Sequence, residues 1–130
     1  MMAESIATAS GQDYLEAILQ LSADGPVRSV DIAQRLSVSR ASVNRAIGVL
    51  KAHGLVTQPR YGAIALTPAG EELARGVQQR HRVLKEFLTD VLQIDPATAE
   101  LDACRMEHVI SAATMESLIR FLEKRHWGEA

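Results

Sequence analysis

The sequence of 130 residues has one cysteine, two phenylalanines, two tyrosines and one tryptophan. It also has no apolar run long enough to cross a bilayer. A lone Cys104 excludes an internal disulfide framework and fits a reducing compartment. With aromatics at 4%, the interior has to come from Leu, Ile, Val, Ala and Met, which suits packed helices better than a sandwich of strands. Positive charge is not in excess: the net charge is −2, which, if evenly spread, would suit neither a nucleic-acid binder nor a membrane-surface protein. The first nine residues carry Glu4, no basic run and too short an apolar stretch for a secretory signal, so the expected location is cytoplasmic. Internal repeats and low-complexity tracts are lacking.

What is present is ordinary globular composition, 47% apolar and 23% charged, in a length that suits one compact domain or two small layers. A first helix is expected from about Ser10, as N-cap, to Ser22, with Leu15, Ile18 and Leu19 as its apolar stripe. Asp13, Glu16 and Gln20 share its polar face. Asp24, Gly25 and Pro26 stop it. A short second helix, roughly 29–36, turns Val30, Ala33 and Leu36 inward. After Ser37-Val38-Ser39, a third runs from Arg40 to about His53, capped by Ser39 and ended by Gly54. Val43, Ala46, Ile47 and Leu50 define its buried face, while Ala41, Arg45 and Gly48, flanked by Ser42 and Asn44, lie opposite. Two short helices joined by a tight turn form a helix-turn-helix pattern. Leu55–Thr57 and Ala63–Leu66, about the Pro59-Arg60-Tyr61-Gly62 turn, read as a two-stranded wing.

The later part reads as helical throughout. Thr67 caps and Pro68 opens a long helix whose stripe is Leu73, Val77, His81, Leu84, Leu88 and Val91. Asp95 and Pro96 start a fifth helix reaching about Ile110. A last helix begins near Ser111, carries Met115, Leu118, Ile119 and Leu122, and frays from Arg125. The apolar faces of these last two helices are the expected dimer surface. The expected fold is mainly α: an N-terminal winged helix-turn-helix over 1–70, then an all-helical domain over 71–130.

Charge follows the same division. Residues 25–62 hold Arg28, Arg35, Arg40, Arg45, Lys51 and Arg60 against Asp31 alone, and acidic residues predominate elsewhere. A positive patch on a helix-turn-helix and wing can neutralise phosphates, so this stretch is expected to bind double-stranded DNA. Ser39, Ala41, Ser42 and Arg45 are the candidates for base edges, and Arg40, Lys51 and Arg60 for phosphates. Arg28 and Asn44 complete the expected DNA-facing set.

A second constellation lies outside the basic stretch. Cys104, Glu107 and His108 stand at i, i+3 and i+4, so thiol, carboxylate and imidazole share one side of a turn, in line with Leu101 on a partly buried face. Such a group needs partners, for which His81 and the Asp13/Glu16 pair are candidates, and a divalent transition metal would satisfy all of them together. Taken singly, His81 also reads as a hydrogen-bonded core histidine, Cys104 as a small buried hydrophobe, and Asp13/Glu16 as a solvated first turn. The alternative function is a metal-independent winged-helix regulator that senses oxidants or small molecules through Cys104. In that case Cys104→Ser abolishes the response, and Asp13→Ala and His81→Ala do not. No nucleophile-base pair or glycine-rich phosphate loop accompanies these residues, so the chain is not read as an enzyme.

Six segments carry a resemblance: Asp13-Tyr14-Leu15-Glu16; the helix-turn-helix from Asp31 to Ile47; Gly54-Leu55-Val56; Leu66-Thr67-Pro68-Ala69-Gly70; Arg80-His81-Arg82-Val83-Leu84; and Asp102 to Val109 with its Cys104-Arg105-Met106-Glu107-His108 core. From Gly11 to about Lys124 the sequence resembles the diphtheria toxin repressor and manganese transport regulator family. The resemblance implies a homodimeric, metal-activated repressor that senses Fe(II) or Mn(II), binds operator DNA and controls metal-uptake genes. By position it implies Asp13, Glu16, His81, Cys104, Glu107 and His108 as metal ligands. The match is hybrid. The iron branch tends to a Met where this chain has Asp13, and the manganese branch to a carboxylate where it has Cys104. The iron branch also has a Glu and a His where Lys85 and Glu100 stand, so its second metal site is not expected here. Hard oxygen donors, and a chain ending before any additional domain, tip the expected metal slightly to Mn(II).

Overall fold

Polar caps and two left-handed residues set the limits of the first helices. The computed structural model describes residues 9–60 and 62–128, which divide after Gly76 into two units. In the first unit α1 (Ala9–Ser22), α2 (Ser29–Leu36) and α3 (Arg40–Ala52) precede β1 (Val56–Thr57) and β2 (Ala65–Leu66). Ser10 lies inside α1 rather than capping it, because the helix is already formed at Ala9. α2 starts where the Asp31 carboxylate accepts from the Arg28 amide at 3.0 Å, and ends at Ser37, whose φ of 56° turns the chain into the left-handed region. The Ser39 hydroxyl caps α3 by accepting from the Ser42 amide at 3.1 Å, and Gly54 leaves that helix at φ 72°.

These ends aim one apolar face of each helix at a common core. Leu15 and Ile18 of α1, Ile32 of α2, and Val43, Ile47 and Leu50 of α3 are buried together with Val56 and Ile64. Val30, expected inside, is exposed, since Ile32 and Ala33 take the inward positions of α2. The wing is antiparallel, pairing Val56 with Leu66 and Thr57 with Ala65; a further bridge ties Ile64 to Val27. Its strands are shorter than expected, and Tyr61 of its turn lies outside the described residues.

α4 (Pro68–Glu86) opens against this wing. Thr67 Oγ1 accepts from the Gly70 amide at 3.1 Å and donates to the Gly54 carbonyl at 2.7 Å. A Cβ at Gly70 would stand 2.0 Å from the Leu55 carbonyl oxygen, so only glycine allows this approach.

The second unit holds the later turns of α4, a π-helical turn at Phe87–Val91, α5 (Pro96–Met106) and α6 (Ala112–Gly128). Leu84, Leu88, Ala99, Ala103 and Met115 form its core, and Phe87 meets Phe121 edge to face at 6.0 Å. Two expectations are corrected here. α5 ends at Met106 rather than near Ile110, since the chain turns through 107–110 before Ser111 caps α6. α6 stays helical through Gly128 instead of fraying from Arg125. Met115 and Leu122 are buried within the chain, Leu118 and Ile119 are half-buried against the same unit's core, and Leu101, Val109 and Phe121 are exposed. Leu73 of the α4 stripe is likewise exposed. Among the described residues no helix is long and apolar enough to cross a membrane.

Candidate functional site

α4 and α5 each present donors at one-turn spacing, His81 and Lys85 from α4, Glu100 and Cys104 from α5, with Glu107 as the residue that closes α5. His81 stands between two carboxylates. Its Nδ1 lies 2.8 Å from Glu107 Oε1 and its Nε2 2.9 Å from Glu100 Oε2; the other oxygen of Glu100 accepts from the Lys85 ammonium at 2.9 Å. Glu107 is 1% exposed and the His81 side chain 14%, whereas Glu100 is half-exposed and Cys104 exposed. Burial pulls the His81 imidazole down, but the hydrogen bonds to Glu107 and Glu100 outweigh it and its pKa stands above the usual histidine value. The Lys85 hydrogen bond, against an opposing burial effect and with help from His81, holds Glu100 below the usual carboxylate range.

A buried carboxylate on one imidazole nitrogen leaves the other nitrogen aimed outward, the arrangement that orients a metal-ligating histidine. The outward side carries the further donors: ligand atoms of His81, Glu100 and Cys104 lie within 4.8 Å of one another. Nitrogen, oxygen and sulfur donors gathered this closely fit a divalent first-row transition metal ion. An open hollow of about 570 Å³ lined by His81, Lys85, Glu86 and Glu100 gives access from solvent.

Of the expected ligands, the structure brings His81 near Cys104 and, through its other nitrogen, against Glu107. His108 is half-buried in the turn after Met106, and the three donors whose ligand atoms gather are His81, Glu100 and Cys104. The face through Leu101 and Cys104 is open rather than partly buried, Leu101 being 62% exposed; Glu107 alone of the trio is fully inside. Glu100 is the donor that sequence reasoning missed. It stands four residues before Cys104, and that spacing was the available signal. Asp13 and Glu16 belong to the first unit, where both are half-buried on α1; Gln20 Nε2 donates to Glu16 Oε2 at 3.4 Å, and Arg35 donates to the Gln20 carbonyl.

The first unit also presents the basic face. Arg28, Ser39, Arg40, Ala41, Asn44, Arg45, Lys51 and Arg60 are exposed, with Ser42 half-buried beneath them. Gly48 has open space where a Cβ would stand, so α3 keeps a low surface there. Asn44 Oδ1 accepts from Ser29 Oγ at 3.3 Å, pinning α3 to α2. Tyr14 is buried under α3 and its hydroxyl pKa is raised by burial, with Arg45 pulling the other way.

An exposed, basic second helix of a helix-turn-helix with a wing, joined in one chain to a helical unit with clustered metal donors, defines a metal-responsive DNA-binding regulator. Comparison with known proteins agrees in both parts. Residues 7–64 match the model of the iron dependent repressor N-terminal DNA binding domain, and residues 67–126 that of the iron dependent repressor metal binding and dimerisation domain. The chain is 35% identical over 113 residues to the transcriptional regulator MntR of Salmonella typhimurium, covering 86% of this chain and 71% of that one. To the diphtheria toxin repressor of Corynebacterium diphtheriae it is 33% identical over 112 residues, covering 85% of this chain and 49% of the repressor. The solved structure of the manganese regulator SloR superposes with a TM-score of 0.78 at 30% identity, over 86% of this chain and 53% of that one. The chain thus spans about half the length of the last two proteins. It belongs to the iron-dependent repressor family and is a metal-activated transcriptional repressor of that family.

Proposed function

We propose that this chain binds double-stranded operator DNA as a cytoplasmic homodimer, takes Mn(II) or Fe(II) as its corepressor with a slight preference for Mn(II), and controls metal-uptake genes. The observation that carries the metal part is the buried Glu107 carboxylate set 2.8 Å from His81, whose other nitrogen faces further donors. Asp13, Glu16, His81, Cys104, Glu107 and His108 are the proposed ligands, carried by sequence position. When bound, the ion supplies Lewis-acid coordination that neutral imidazole, carboxylates and thiolate satisfy together. Ligands drawn from before and after the helix-turn-helix in sequence make the DNA affinity respond to metal occupancy. The gain is limited by the metal's preference for the DNA-competent state. Glu100 adds a hard oxygen donor near Cys104, which supports the lean toward Mn(II). The functional division is near residue 70, with 1–70 reading DNA and 71–130 binding metal and dimerising.

In the reader, Arg45 is proposed to contact guanine, with Ser39, Ala41 and Ser42 near base edges. Arg28, Arg40, Lys51 and Arg60 hold phosphates, and Asn44 lies alongside. Titration of a labelled operator-like duplex in chelator, in Mn(II) and in anaerobic Fe(II), with bound ions counted by elemental analysis, tests the proposal. Metal-dependent binding that disappears in Asp13→Ala and His108→Ala is the expected result. Duplex binding that persists unchanged in chelator overturns the metal switch and leaves the winged helix.

A further inference from the structure

We propose that Tyr14 is a positioning residue for base reading: from α1 it holds the Arg45 side chain of α3 in place, and so sharpens the preference that Arg45 exerts on DNA. The proposal rests on the reading of Arg45 as a base contact and adds a residue of α1 to it.

The interior of the first unit is aliphatic apart from one side chain. Among its described buried residues Tyr14 alone carries a polar side-chain atom. A phenylalanine would fill the same space with no hydroxyl to desolvate, so core packing does not account for the oxygen. Its surroundings do. Tyr14, 5% exposed, joins Ser42, Arg45, Ala46 and Val49 in the wall of an open hollow of about 340 Å³ between α1 and α3. Burial pushes the Tyr14 hydroxyl pKa up and the Arg45 guanidinium pulls it down, so hydroxyl and charge stand within electrostatic reach of each other.

Arg45 is a residue that needs holding. It is exposed, and so long a side chain loses conformational freedom when it docks on DNA. A contact that orders it beforehand lessens that loss. On α3 itself the support is slight, since Arg45 Nη2 donates to Ser42 Oγ at 3.5 Å, the long end for a hydrogen bond. Ser42 is itself fixed, because Ser39 Oγ donates to its hydroxyl at 3.0 Å and accepts from its amide at 3.1 Å. Tyr14 adds a second support from a different helix. Its ring turns about only two torsions and is locked by burial, so its hydroxyl is a fixed dipole beside the reading helix. A guanidinium held between that dipole and Ser42 cannot re-aim its fork to suit a wrong base.

The test uses the full chain saturated with Mn(II) and a duplex selected by it from a randomised pool, competed against its single-base-pair variants. Arg45→Ala first locates the base pair that Arg45 reads. Tyr14→Phe keeps the buried ring and removes the hydroxyl alone. Its discrimination at that same base pair is expected to fall about three-fold or more, with discrimination elsewhere unchanged. In the Arg45→Ala background, Tyr14→Phe is expected to change nothing further. Full discrimination in Tyr14→Phe overturns the proposal. So does a loss spread evenly over all base pairs, or an equal effect with and without Arg45, either of which makes the hydroxyl a general structural group. Failure of the underlying reading is told apart by Arg45→Ala alone: discrimination intact at every base pair reassigns Arg45 and takes this proposal with it.

Discussion

The two units of this chain are held together by different physics. The DNA-reading unit closes over an interior of aliphatic side chains and Tyr14, whereas the helical unit places a histidine, an adjoining buried carboxylate and a lysine–glutamate pair beside its apolar core. Apolar burial is indifferent to pH and to metal. Paired charges are sensitive to both, because each pairing energy depends on protonation and on any competing cation. The lesson is that the sensor is the half built to be perturbed, and the reader the half built to stay put.

The largest effect is expected from challenging the rigid half at its closest contact. Gly70→Ala forces a Cβ to within 2.0 Å of the Leu55 carbonyl, so the start of α4 has to move. A loss of about 3 kcal/mol in denaturant unfolding is expected. Unchanged stability would mean that the α4–wing junction is looser than described.

Next comes the sensor's buried pair. Glu107→Ala leaves His81 Nδ1 without its acceptor and should cost about 2 kcal/mol in the metal-free protein, together with at least a ten-fold loss of metal affinity. Loss of metal affinity alone would place Glu107 outside the structural core of that unit. Arg45→Ala, on the other side of the comparison, should leave metal affinity alone and relax sequence preference in DNA by about 1 to 3 kcal/mol at one base pair, read by competition among duplexes. A uniform loss over all sequences would reassign Arg45 to phosphate.

The smallest effect is on pH. His81 has a folded pKa above its unfolded value of about 6.5, so its contribution to the metal-free protein is fully present below that pH. It is lost as pH rises through the raised folded value. Thermal melts of metal-free protein on either side of neutrality should show this decline, and His81→Gln should remove it.

How far the sequence anticipates these two halves follows from the same contrast. The ends of α3 are legible because Ser39 and Gly54 act on their own backbone neighbours, and its buried face because Val43, Ile47 and Leu50 repeat at helical spacing. The end of α5 is not legible. No glycine or proline marks it; the turn after Met106 is held from a distance, with Arg80 donating to the Ile110 carbonyl at 2.9 Å. Glu100 escapes for a related reason. The resemblance puts a histidine at that position, so the residue counts as a lost donor until α4 and α5 are seen to bring it against His81 and Lys85. Leu73 and Leu101 show the limit of periodicity, which marks a possible face but not whether anything covers it.

The central claim is that metal binding and DNA binding are coupled, and coupling is reciprocal. Mn(II) affinity, measured by calorimetry on the reduced protein with and without a saturating operator duplex at fixed salt, tests it most directly. The account predicts that DNA tightens Mn(II) binding by at least about five-fold. Equal Mn(II) affinity in the two titrations would contradict it.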